Sequence, residues 1–177
     1  LVRFNLGKFN DAVLALEEAK KKGYKPEVDL RNKLGETYLK LNKAEEALAE
    51  FNRVIELTPL NPEVYYNPIW INLKLLNNYE KALYYAEANL NSNPTLALSQ
   101  DLMGWVYLEA GQYQMAKKYL DAALDIDKNL FSAYFHLAKY YEANLDLEQA
   151  KAHYKVVVAL SPDSSLGIEA KKALEKF

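Results

Sequence analysis

The side chains able to carry chemistry are few and poorly spaced for it. There are two histidines, His136 and His153, and no cysteine. A nucleophile would therefore have to be a serine or threonine activated by one of those imidazoles. Both histidines fall in stretches of helical periodicity, where a packed or surface role is expected rather than that of a general base. Zinc would need carboxylates at matched geometry beside them, and no HExxH or comparable spacing is present. The six glycines are scattered, so no phosphate-cradling loop is expected. The reading at this level is no catalytic residue, no metal and no cofactor. What remains is aromatic, with 14 tyrosines, 6 phenylalanines and 2 tryptophans. Most fit helical spacing as core filler, whereas Trp105, Phe135 and Trp70 stand outside that set. Large apolar groups with charges beside them serve recognition.

The elements that position these residues are set by an internal period. Ala12, Ala47, Ala82, Ala116 and Ala150 follow one another at intervals of 35, 35, 34 and 34 residues. Gly35 and Gly104 are 69 apart, and Pro59, Pro94 and Pro162 are 35 and 68 apart, with Lys128 where a proline is missing. Apolar residues recur at helical spacing almost throughout, broken by turn signals, which predicts about ten helices and no strands. In the clearest repeat a first helix runs from near Val28 to Lys40, Leu41-Asn42-Lys43 turns the chain, and a second helix ends near Leu57. Thr58-Pro59 closes it, because proline offers no amide hydrogen to continue a helix. Short connections make each pair antiparallel. Gly35 and Ala47 let the two backbones approach while Leu34, Tyr38, Leu48 and Phe51 fill the space beside them. One unit departs from the rule: it has one residue too many between Pro59 and Ala82, and Pro68, Ile69 and Trp70 replace the leucine-glycine pair. A kink or a late helix start is expected there.

Composition narrows the function classes. Over 177 residues, 22 basic and 24 acidic side chains give a formal net charge of −2, with no basic block, so nucleic-acid binding is not expected. No apolar run reaches the ~20 residues a membrane-spanning helix requires. Without cysteine, cytoplasm and periplasm are both compatible and the localisation stays open. The opening LVRFNLGKFNDA reads as the middle of a repeat, and the chain is taken as a fragment whose upstream segments are not visible.

The segment LGETYLKLNKAEEALAEFNRVIELTP closely resembles the tetratricopeptide repeat family, whose 34-residue helix-turn-helix unit carries leucine-glycine, tyrosine, alanine, phenylalanine and proline at set spacings. The resemblance implies an all-α, right-handed α-solenoid of stacked antiparallel helix pairs, about four and a half units plus a C-terminal capping helix. The units would be a partial repeat over 1–27, repeats over 28–61, 63–96, 97–130 and 131–164, and a cap over 165–177. It also implies a ligand-binding groove lined by the free side of each first helix. Carried over by position, that lining is Asn32, Glu36, Leu39 and Lys40 from the first full unit, and Asn67, Ile71 and Lys74 from the irregular second, where Trp70 is an alternative to Ile71. The third unit gives Asp101, Trp105 and Leu108, and the fourth Phe135, Lys139 and Glu142. Trp105 and Phe135 are equally suited to packing on the next first helix. The lysine and asparagine clamp by which some members hold acidic chaperone tails is absent, with Asn32, Glu36, Leu98 and Leu102 at its positions.

These features imply a protein-protein interaction scaffold that takes a peptide or partner helix in its groove. Self-assembly through apolar solenoid ends near Val13, Leu14 and Leu16 is one alternative. A recognition arm of a larger enzyme is the other.

Overall fold

The computed structural model describes residues 2–177, with side chains from Gly7 onward; Leu1, where the partial repeat 1–27 would begin, lies outside the described residues. Among those residues there are ten α-helices and no strand: α1 (Val2–Lys21), α2 (Glu27–Lys40), α3 (Ala44–Leu57), α4 (Tyr66–Lys74), α5 (Tyr79–Ser92), α6 (Ala97–Glu109), α7 (Tyr113–Ile126), α8 (Phe131–Ala143), α9 (Leu147–Leu160) and α10 (Ser165–Leu174). The chain divides into two compact units, one up to Tyr85 and one from Ala86. In the first, α2 packs on α1 and α3, and α3 on α4. In the second, α6 packs on α7, α8 on α9, and α8 also touches α6 and α7, while α10 covers α9 and part of α8.

The second helix of each pair repeats one buried stripe at i, i+4 and i+7, the spacing that keeps side chains on one helical face. The stripe is Ala47-Phe51-Val54 in α3, Ala82-Ala86-Asn89 in α5, Ala116-Leu120-Ala123 in α7 and Ala150-Tyr154-Val157 in α9. The first helix answers each large stripe residue with a small one. A Cβ on Gly35 would lie 2.6 Å from Cζ of Phe51, and one on Gly104 would lie 2.6 Å from Cγ of Leu120. Ala138 packs in the same cluster as Tyr154. Asn89 is the polar exception, and its buried Oδ1 accepts from Asn93 Nδ2 at 3.1 Å and Ser99 Oγ at 3.3 Å.

The turns inside the pairs are periodic too. Asn42, Asn77, Gly111 and Leu145 all have positive φ, at 58°, 48°, 70° and 60°. Three of them close Schellman motifs, in which the residue after the left-handed one bonds back five positions. Lys43 N donates to Tyr38 O, Gln112 N to Tyr107 O and Asp146 N to Tyr141 O, at 2.9, 2.9 and 3.0 Å. The tyrosines Tyr38, Tyr107 and Tyr141 thus mark the last turn of α2, α6 and α8.

The irregular unit starts late. A 3-10 turn over Pro62–Tyr65, capped by Asn61 Oδ1 on Glu63 N, precedes α4, which has only 9 residues. Pro68 is its third residue, within the turn whose amides have no carbonyl to meet.

Charges fasten α1, α2 and α3. Buried Glu50 of α3 accepts from Lys20 of α1 and Arg31 of α2, each at 2.8 Å. Glu17 accepts from Lys20 at 2.7 Å and Tyr38 at 3.0 Å, and Glu27 from Arg31 at 3.0 Å and Arg53 at 3.4 Å. Burial pushes the Glu17 carboxyl up, but its bonds to Lys20 and Tyr38 outweigh this and hold it below the usual glutamate value. The Arg31 guanidinium, ahead of a smaller burial effect, holds Glu27 low as well. Burial opposes the charge of Lys20, yet its bonds to Glu17 and Glu50 overcome this and raise it.

Candidate functional site

In the first unit the positions expected to line a groove fall into two groups. Asn32, Glu36 and Lys40 lie four residues apart along α2 and none is buried; Glu36 and Lys40 are exposed. Leu39 is half-buried and leans on the cluster of Ala47, Leu48, Phe51 and Ile71. Ile71 is a buried member of that cluster, and Trp70 packs against its edge, half-buried. Asn67 is half-buried and Lys74 exposed, on the same short helix α4.

In the second unit the large anchors turn inward. Asp101, Trp105 and Leu108 of α6 and Phe135 of α8 are all buried. Nδ1 of His136 donates to Oδ1 of Asp101 over 2.7 Å, and the indole of Trp105 stacks on the same imidazole at 5.3 Å and 8°. Trp105 Nε1 donates to Glu109 at 3.2 Å. Phe135 meets Tyr154 edge-on at 5.8 Å within the cluster closed by Ala170 and Ala173 of α10. Of the two arrangements open to Trp105 and Phe135, the structure has them packing on neighbouring helices. The carboxylate of Asp101 is likewise buried, with Oδ1 on His136 and Oδ2 without a hydrogen-bond partner.

Lys139 and Glu142 form the accessible part of this face. The ammonium of Lys139 lies 5.6 Å from the centre of Phe135 and 5.8 Å from that of Tyr154, and it pairs with Glu142 at 3.4 Å and Glu169 at 3.7 Å. Tyr154 OH donates to Glu142 Oε2 at 2.8 Å. Burial, then that bond, pushes the Tyr154 phenol well above its ordinary value, so it serves as a donor at any working pH.

Sequence reasoning missed the pairing of Asp101 with His136. The signal was available, since the two are 35 residues apart, one repeat period. No serine or threonine hydroxyl bonds to either histidine among the described residues; His153 Nδ1 bonds the Gln149 carbonyl at 2.8 Å. No group of three or more histidine, aspartate or glutamate side chains able to hold a metal ion occurs among those residues. Nor is any helix there long and apolar enough to cross a membrane.

Family profiles described as TPR repeat and tetratricopeptide repeat match residues 28–67, 99–130 and 132–164, three separate stretches that fall on the helix pairs. The chain is a tetratricopeptide-repeat protein. Its class is the all-α helical-repeat solenoid. Solved tetratricopeptide structures share the fold. TTC0263, a TPR protein of Thermus thermophilus, aligns with a TM-score of 0.71 at 23% identity, covering 97% of this chain and 93% of that one. YrrB, described as a TPR protein with an unusual peptide-binding site, aligns at 0.55 and 18% identity, over 95% of this chain and 86% of its own. Among curated relatives, the uncharacterized protein ycf37 of Pyropia yezoensis is 33% identical over 93 residues, 52% of each chain. Tetratricopeptide repeat protein 12 of Mus musculus is 27% identical over 85 residues, 48% of this chain and 12% of its own. The chain spans about half the length of the ycf37 relatives it matches.

Proposed function

We propose that this tetratricopeptide-repeat chain is a protein-interaction module that holds a peptide or a partner helix against the free side of its first helices. The repeat frame we adopt is 28–61, 63–96, 97–130 and 131–164, with 165–177 as a cap. Family membership supports a scaffold role in general, and YrrB is a relative in fold described by its peptide-binding site. The observation that carries the finer reading is that each unit by itself sets accessible polar side chains over a packed floor, Asn32, Glu36 and Lys40 on α2 in the first and Lys139 and Glu142 on α8 in the second. Rigid supports beneath exposed charges give orientation and partner choice. Trp105 and Phe135 act in this reading as part of the floor. The test is capture of partners by the chain and by its Lys139→Asp and Glu36→Lys variants, each checked for unchanged helicity. Loss of one partner from a folded variant is the expected result; retention by both removes these first-helix residues from consideration.

Self-association is a second reading, favoured by Leu14 on α1, which is 70% exposed. A constant mass by light scattering across concentration would exclude it for this chain.

A further inference from the structure

We propose that the cleft between α3 and the first turns of α5 is a second docking site. Its ligand would be a short segment of a partner protein that carries a large apolar residue between a basic and an acidic one. The cleft holds about 420 Å³ and is lined by none of Asn32, Glu36 and Lys40 of α2, with Glu45, Leu48 and Asn52 on one side and Lys81, Tyr84 and Tyr85 on the other. That volume is in the range of sites that enclose a ligand group.

One wall is fixed in advance. Tyr85 OH donates to Asn52 Oδ1 at 2.8 Å, tying α5 to α3, and the ring of Tyr84 meets that of Tyr85 edge-on at 5.5 Å. Tyr84 is 66% exposed despite this support. An exposed aromatic ring held against a locked one can bury its face on a ligand at small entropic cost, the pattern of an interface anchor.

The charges define the ligand. Glu45 is exposed on α3 and Lys81 on α5, and neither side chain has an ion-pair partner among the described residues. Other charges of α3 are paired, Glu46 with Lys43 at 3.7 Å and Arg53 with Glu56 at 2.7 Å. A mouth with one unpaired charge of each sign suits a ligand of mixed sign, whereas a uniformly acidic or basic segment meets repulsion at one side.

The test uses the full chain and three capped heptapeptides, each with a central phenylalanine. One is flanked by lysine and glutamate, one by two lysines and one by two glutamates, and binding is read from backbone amide shifts. The mixed peptide should shift amides of α3 and α5 and bind about threefold more tightly than either uniform one. Tyr84→Ala should weaken it about tenfold or more. Glu45→Lys should turn the preference to the glutamate peptide and Lys81→Glu to the lysine peptide, while Lys139→Asp leaves all three unchanged. Absence of shifts in α3 and α5, shifts confined to α6 and α8, or a preference that neither reversal moves would overturn the proposal. Lys139→Asp and Glu36→Lys probe the first-helix residues of each unit separately.

Discussion

The two helical glycines face their large partners differently, and that difference is measurable. At Gly35 the three atoms nearest an added methyl all belong to the tip of the Phe51 ring, whereas at Gly104 they are Leu120 Cγ and Cδ2 and the Leu120 backbone nitrogen at 3.1 Å. A ring end can tilt aside, but a helix backbone cannot move without its whole stripe. Gly104→Ala is therefore expected to destabilise by about 1–3 kcal/mol through overpacking, more than Gly35→Ala, even though alanine favours the helix by about 1 kcal/mol. Gly7→Ala, in open space on α1, should instead raise the melting temperature slightly. Leu145 gives the opposite case. It is 83% exposed and holds φ of 60° at the site where Asn42 and Gly111 occupy the other Schellman turns. A branched side chain in that region costs about 1–2 kcal/mol, and no packing is lost on removing it. Leu145→Gly should stabilise the protein by about 1 kcal/mol, and urea unfolding that shows no gain or a loss would refute this account of the turn.

Glu50 decides how α1, α2 and α3 are held. Its two carboxylate oxygens each satisfy a cation on a different helix, so Glu50→Ala takes one partner from Lys20 and one from Arg31, leaving them only Glu17 and Glu27. The Lys20 and Arg31 side chains are 25% and 19% exposed, partly solvated, and the expected loss is about 1–3 kcal/mol, below that of a fully buried pair. Acid should act on the same joint. Glu17 and Glu27 are held below the ordinary glutamate value in the folded chain, so their contribution is complete above that value and is lost as pH falls through their lowered folded values. Circular dichroism melts taken downward from about pH 5 should show stability falling mainly below about pH 4. A melting temperature flat to about pH 3 would mean these bonds add nothing. The helix pairs themselves were legible in the sequence, because small-against-large spacing and turn residues are local signals. The 3-10 start of α4 was legible only as an irregularity at Pro68. The ionic joint was not, since Lys20, Arg31 and Glu50 share no motif and meet only after three helices have packed.

In the molecule as a whole, the period was readable and the direction of its aromatic residues was not. Trp105 and Phe135 have the size and polarity of ligand anchors and of core filler alike. What sends them inward is His136 and Tyr154, each on a helix whose approach the sequence does not state. The accessible residues left on α2 and α8 are polar and mostly charged. Stability should show the same dependence on neighbours. In a repeat protein each unit draws most of its energy from itself and the units beside it, so damage spreads poorly along the chain. Glu50→Ala removes contacts of α1, α2 and α3 alone, while α8, α9 and α10 close their own cluster around Tyr154. Native-state hydrogen exchange on that variant should therefore show amides of α1–α3 losing protection by the full cost of the substitution while those of α8–α10 keep most of theirs. An equal loss in both regions would mean that the chain opens only as a whole.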